Sequence, residues 1–293
     1  MTIIVTPREN PDLDGTACAI AYAELLRRSG RSAVAWLPGV PDAEARFVLD
    51  RLGVPMPPQP TAWDGVVLVD ASDVAGLPAA VVPHDVVEVV DHRWPHQAAV
   101  LFPNATLRIE RVGAAATLIA ESFDSEGVAP SAASAMLLIA AIQSNTQMLK
   151  GAVTTSRDVD ASSALVRAHP LPDGFLNGQF EARGHEIRLD LGAALRRECK
   201  SFENPSGPYF VSQLELPGAC DLVDACVAAS GLPSNVLINL VDPLMARSTL
   251  VVSDPHTRAW VQRRTGLVFD GVVATCQPTV LRKQLAELLA GTR

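Results

Sequence analysis

With 293 residues, of which 48% are apolar, the chain is long enough for two globular domains and excludes a fibrous or generally disordered protein. Its 24 Lys and Arg against 32 Asp and Glu give a net charge of −8, which excludes a general electrostatic attraction to nucleic acid. The five cysteines form no CxxC pair, and no apolar run reaches membrane length, so a reduced cytoplasmic protein without a leader peptide is expected.

The first half alternates short apolar runs with helical stretches. Residues 2–5 form a buried strand, 16–28 a helix, 32–37 a strand and 43–52 a short helix. The β-branched runs at 66–69 and 86–90 read as strands covered on both faces. This alternation predicts an α/β fold with a mostly parallel sheet. Helices follow at 113–123, 131–144 and 156–168, and the His169-Pro170-Leu171-Pro172-Asp173-Gly174 stretch ends the pattern. Residues 175–197 have mixed helical character and are expected to hold the linker. A second, smaller α/β domain follows, with strands at 208–216, 235–241 and 247–253 and helices at 221–229, 257–264 and 279–290. The expected domains are 1–180 and 190–293, with the active site in the cleft between them.

Acidic residues gather at the ends of the predicted strands. Asn10-Pro11-Asp12-Leu13-Asp14-Gly15 follows the first strand, Asp70 ends the third and Asp91-His92-Arg93 ends the fourth. Ser144-Asn145-Thr146 stands at a helix end. In an open parallel sheet these termini share one edge, where ligands bind. Packed carboxylates repel one another, and hard divalent cations such as Mn²⁺, Mg²⁺ or Zn²⁺ relieve that repulsion. Taken singly, each residue also has a structural reading: Asp14 as a helix cap, Asp70 as the start of a turn.

The order of these motifs resembles that of the DHH phosphoesterase superfamily. Residues 10–15 are similar to its first motif, Asp70 to its second-motif aspartate, and Asp91-His92-Arg93 to the triplet that names it, with Arg in third place. Arg111-Val112-Gly113-Ala114-Ala115-Ala116-Thr117 resembles the helix start that follows, and Ser144-Asn145-Thr146 the family's Ser-Asp-Thr. Glu198-Cys199-Lys200-Ser201-Phe202, Val211-Ser212-Gln213-Leu214-Glu215 and Arg282-Lys283-Gln284 resemble the C-terminal domain of family II pyrophosphatases and of the prune and exopolyphosphatase branch.

The resemblance implies two ions, one held at the Arg8 position with Asp12 and Asp70, the other by Asp14, Asp70, His92 and the Asn145 position. Asp91 would orient rather than ligate. The first motif's histidine is here Arg8, and the fourth-motif aspartate is Asn145. At most one tightly bound Mn²⁺ or Mg²⁺ is therefore expected. The expected activity is metal-dependent hydrolysis of a small phosphoanhydride or phosphoester: pyrophosphate, short polyphosphate or a nucleotide. Asp14, Asp70 and His92 would be catalytic, and Arg8, Arg93, Lys200, Arg282 and Lys283 would bind phosphate. The alternative is a catalytically impaired relative that binds a phosphate or nucleotide ligand. The expected partner is a small phosphorylated molecule, with no nucleic acid or membrane, in a possible homodimer.

Overall fold

A computed structural model describes residues 2–204 and 207–290. The chain divides into two compact units, residues 1–149 with 153–179, and residues 150–152 with 180–293. Among the described residues no helix is long and apolar enough to cross a membrane.

In the first unit the elements run β1 (Thr2–Thr6), α1 (Leu13–Arg28), β2 (Ser32–Ala35), α2 (Ala43–Leu52), β3 (Gly65–Val69), β4 (Val86–Asp91), α3 (Ala98–Leu101), β5 (Thr106–Ile109), α4 (Ala115–Ser125), α5 (Ala132–Asn145) and α6 (Ser156–Ala168). The five strands form one sheet in the order β2-β1-β3-β4-β5, every pairing parallel. Successive side chains on a strand point to opposite faces. Accordingly Ile3, Val5, Val67, Val69 and Val90 enter the core built with α1, α4 and α5, while Ile4, Val66, Leu68 and Val89 enter a second core with Trp36 and Phe102. Both faces are covered, which is why these strands read as unbroken apolar runs.

Residues 175–197 form two helices: α7 (Phe175–Leu189) and α8 (Leu191–Arg197) meet at Asp190, whose side chain accepts from the Ala193 N–H and caps α8. The boundary between the two units falls within α7. The second unit continues with β6 (Cys199–Phe202), β7 (Tyr209–Glu215), α9 (Val223–Ala228), β8 (Val236–Asp242), β9 (Arg247–Val251), α10 (Pro255–Thr265), β10 (Val273–Cys276) and α11 (Arg282–Ala290). Its sheet runs β10-β9-β8-β7-β6 and is mixed, with only β7 and β8 parallel. Leu214, Ile238 and Leu240 pack on one face, and Val211, Leu237 and Leu250 on the other.

Candidate metal centre

Three adjacent parallel strands, β1, β3 and β4, end at the same sheet edge, and the chain segments leaving them carry the acidic residues. Asp12 is the N-cap of α1, its Oδ1 accepting from the Gly15 N–H at 3.0 Å. The first turn of the same helix carries Asp14 inward, where it is 1% exposed. Asp70 directly follows β3 with a left-handed backbone, φ 51°, which a non-glycine residue adopts at a cost of about 1 kcal/mol or more. Such outliers cluster where a side chain must be aimed. Asp91 closes β4 and is fully buried.

Backbone groups hold Asp14 in place. The N–H groups of Ala115 and Ala116, in the first turn of α4, donate to Oδ2 at 2.8 Å and Oδ1 at 2.9 Å. A helix N-terminus is a natural seat for a carboxylate. Asn145, the last residue of α5, donates its Nδ2 to Asp14 Oδ2 at 2.6 Å, and the Cys18 thiol lies 3.5 Å from Oδ1. The start of α4 is itself fixed by buried Asp158, which accepts from the Gly113 N–H, the Thr117 hydroxyl and the Thr155 N–H and hydroxyl. A Cβ on Gly113 would stand 2.6 Å from Thr146 Cγ2 and 2.9 Å from Asp158 Oδ2, so this turn admits only glycine.

His92 faces Asp14 and Asp70. Its Nδ1 lies 3.1 Å from the Val112 carbonyl, an acceptor, so Nδ1 carries the proton and donates. In the neutral ring Nε2 is then a bare lone pair, 3.5 Å from Asp70 Oδ1 and 3.8 Å from Asp14 Oδ2. Two carboxylate oxygens and an imidazole lone pair aimed at one point repel unless a proton or a cation lies between them. One ligand atom from each of Asp14, Asp70 and His92 lies within 4.8 Å of the others. Ligand atoms around a six-coordinate ion with bonds of ~2.1 Å stand about 3 to 4 Å apart. The donor set of oxygen and imidazole suits Mn²⁺ or Mg²⁺, and the group fits such an ion.

Without a cation the strain appears in the titration of these groups. Burial, and then the charge of Asp70, push the Asp14 carboxyl up to about 7 against the pull of His92. Burial and the charge of Asp12 also raise Asp70, with Arg93 and His92 opposing. Burial alone would lower His92, but its contact with Asp70 and the charges of Asp14, Asp70 and Asp91 raise it to about 9. At Asp12 desolvation is outweighed by the Gly15 N–H, Arg8 and Arg93, and the carboxyl is held below its usual range.

Arg93 turns inward rather than toward solvent. Its Nη2 lies 3.0 Å from Asp70 Oδ1, and Nη1 donates to the Asp70 carbonyl and lies 3.4–3.5 Å from both Asp91 oxygens. Asp91 also accepts from the His92 N–H at 2.7 Å, so it orders the triplet from behind. Arg8, by contrast, is 46% exposed and meets Asp12 Oδ2 only at 3.4 Å. In the second unit Lys200 and Lys283 are exposed, whereas Arg282 donates to the Glu198 carbonyl at 2.5 Å and lies 3.6 Å from its carboxylate. Burial raises the nearby Cys199 thiol against the pull of both Arg282 and Lys200, so these two cations share one neighbourhood of that unit. The α4 N–H groups belong to the Arg111–Thr117 stretch singled out in the sequence, whereas the role of Asp158 carries no motif that sequence could reveal.

The sequence matches the DHH family, N-terminal domain, over residues 2–142. It is 32% identical over 308 positions to a probable manganese-dependent inorganic pyrophosphatase of Bacillus cytotoxicus, covering 99% of this chain and 98% of that one. It is 29% identical to a Deinococcus radiodurans protein of the same description, covering 94% of this chain and 93% of that one. Among solved structures, a Methanococcus jannaschii protein classed with the family II inorganic pyrophosphatases superposes with a TM-score of 0.65 at 18% identity, covering 98% of this chain and 99% of that one. An exopolyphosphatase-related protein of Bacteroides fragilis gives 0.53 at 10% identity, covering 98% and 90%. The structural likenesses concern the fold, and the match to relatives along their whole length concerns descent: the chain belongs to the DHH phosphoesterase family, among the relatives described as manganese-dependent inorganic pyrophosphatases.

Proposed function

We propose that this protein is a divalent-metal-dependent phosphohydrolase acting on pyrophosphate or another small phosphoanhydride such as short polyphosphate or a nucleotide. The observation that carries the reading is the convergence of one ligand atom each from Asp14, Asp70 and His92 within 4.8 Å, with His92 Nδ1 committed to the Val112 carbonyl and Nε2 turned toward the two carboxylates. The relatives' description as manganese-dependent pyrophosphatases supports the choice of Mn²⁺ and of pyrophosphate. Asp14, Asp70 and His92 would hold the ion, and Asn145 would offer a neutral amide oxygen after a half-turn of its carboxamide. When bound, the ion polarises a phosphoryl oxygen and lowers the pKa of a coordinated water. The chain's own part is to orient: Asp91 sets the triplet and Val112 fixes the His92 tautomer. Arg8, at the rim beside Asp12, and Lys200, Arg282 and Lys283 of the second unit are the cations proposed to take phosphate oxygens, Arg through its planar fork.

One observation favours a second reading, a protein that binds such a ligand without turning it over: Asn145 replaces a carboxylate and spends its amide on Asp14. Phosphate release from pyrophosphate, tripolyphosphate and nucleoside triphosphates with Mn²⁺, Mg²⁺ or Co²⁺ separates the two. Release with Mn²⁺ that disappears in Asp70→Asn supports the hydrolase. Tight binding of Mn²⁺ and pyrophosphate with no release from any of these compounds establishes the second reading.

A further inference from the structure

Four carboxylates crowd this sheet edge, those of Asp12, Asp14, Asp70 and Asp91, and two guanidinium groups face them, Arg8 and Arg93. We propose that the Arg93 guanidinium is a fixed cation of the centre, filling the Asp12 flank of Asp70, so that each chain takes one divalent ion and takes it on the Asp14–His92 flank. The inference rests on the metal reading of the site given above.

Contact geometry is the first ground. Asp70 is the carboxylate that lies between the two flanks, and its Oδ1 is the oxygen nearest to both Arg93 and His92. It already has Arg93 Nη2 at 3.0 Å on one side and His92 Nε2 at 3.5 Å on the other. Arg93 is held from a second direction by the Asp70 carbonyl and the Asp91 carboxylate, and its side chain is 32% exposed. Ligand supply is the second ground. On the Asp12 flank the groups that act on the carboxyl besides Asp70 and the Gly15 N–H are Arg8 and Arg93, and a guanidinium has donors only and no lone pair for a metal. Metal ligation requires ionised carboxylates and a neutral imidazole. Charge is therefore the third ground: the two arginines cancel half the negative charge of the four carboxylates and one divalent ion cancels the rest. A second ion would leave an excess of positive charge beside the buried Asp14, Asp70 and Asp91, where unbalanced charge is costly. Of the two arginines, Arg93 is the one built into the centre, because Arg8 is nearly half exposed with a single contact at 3.4 Å.

The test is a count of bound Mn²⁺ on the full chain, by equilibrium dialysis with metal analysis and by low-temperature electron paramagnetic resonance. One Mn²⁺ per chain with the spectrum of an isolated ion is expected. Two tight ions with an exchange-coupled spectrum overturn the proposal. No tight ion overturns it together with the metal reading, and is distinguished by its zero stoichiometry. Arg93→His is expected to raise the count from one toward two, whereas Arg93→Lys and Arg8→His stay at one. A second ion admitted by Arg8→His and not by Arg93→His assigns the fixed cation to Arg8 and refutes the inference. Should Arg93→His fail to fold, the spectrum of the unmodified protein decides alone.

Discussion

Replacing Asn145 with Asp should make the metal-free protein less stable and its grip on metal stronger. Asn145 Nδ2 donates to Asp14 Oδ2 at 2.6 Å, so Asn145→Asp exchanges a donor for an acceptor-only group against a buried carboxylate. Losing a hydrogen bond to a charged acceptor costs about 1.5–3 kcal/mol, and the two facing carboxyls must then share a proton or repel. A loss of about 2–3 kcal/mol corresponds to a fall in Tm of roughly 5–10 °C for a unit of this size. With Mn²⁺ the sign reverses, because a charged oxygen replaces a neutral amide beside a divalent ion. A gain of only ~1.4 kcal/mol there tightens binding tenfold. Because an ion that binds only the folded state raises its stability by RT ln(1 + [L]/Kd), the Mn²⁺-induced rise in Tm should be larger in the variant than in the parent. Thermal melts in EDTA and in graded Mn²⁺, with titration calorimetry for affinity, measure both effects. A variant that melts no lower in EDTA, or binds Mn²⁺ no tighter, refutes the placement of Asn145 at the ion.

The pH dependence of the metal-free protein should run opposite to that of a carboxylate in an ion pair. Asp14 is raised from 3.8 to about 7 and His92 from 6.5 to about 9 by the fold, so their contribution is complete at low pH and falls as pH rises through those values. Melting in EDTA should show these two groups removing stability between about pH 4 and 9, while Mn²⁺ affinity climbs over the same range as protons leave its ligands. Asp158→Ala should cost about 3–5 kcal/mol by orphaning the buried donors of Gly113 and Thr117 and the half-buried one of Thr155, and should weaken Mn²⁺ binding by loosening the α4 N–H groups under Asp14. Denaturant unfolding and a metal titration check it, and an unchanged Mn²⁺ affinity in a folded variant disproves the support role. Gly113→Ala should fail similarly, since its Cβ has 2.6 Å to Thr146 Cγ2, and solubility with a thermal melt is the measurement.

Much of the site was legible because parallel topology does the assembling. Once β1, β3 and β4 are read as buried parallel strands, the residues just after them must share an edge, whatever the loops do. Among the elements that escaped are two four-residue strands with no continuous apolar run: β5 carries Arg108 in the middle of TLRI, and β6 reads CKSF. Their strand character comes from pairing with β4 and β7 rather than from their own pattern. Arg93 shows a different limit. Residue type suggests a phosphate ligand, but its donors go to neighbouring Asp91 and to the Asp70 carbonyl, which only the folded chain brings within reach.

Asp14 shows how the ligand set and the fold compete for the same atoms. A carboxylate has about four lone-pair directions, and Ala115 N, Ala116 N, Asn145 Nδ2 and the Cys18 thiol address all of them. An incoming ion must therefore displace one donor. The two backbone N–H groups are fixed by α4, and the thiol sits on Oδ1, whereas Oδ2 is the oxygen that faces His92 Nε2 at 3.8 Å. Asn145 is the donor on that oxygen that can leave without moving the backbone, by turning its carboxamide about χ2. The same turn directs its Oδ1 toward the place its Nδ2 vacates. In the metal-free chain the amide thus supplies the positive end of a dipole where the ion's charge would be, and in a loaded chain it would be free to serve as the ligand proposed above. An aspartate at this position can play only the second part, so the exchange that lowers attraction for the ion is also the one that lets the centre stay folded without it.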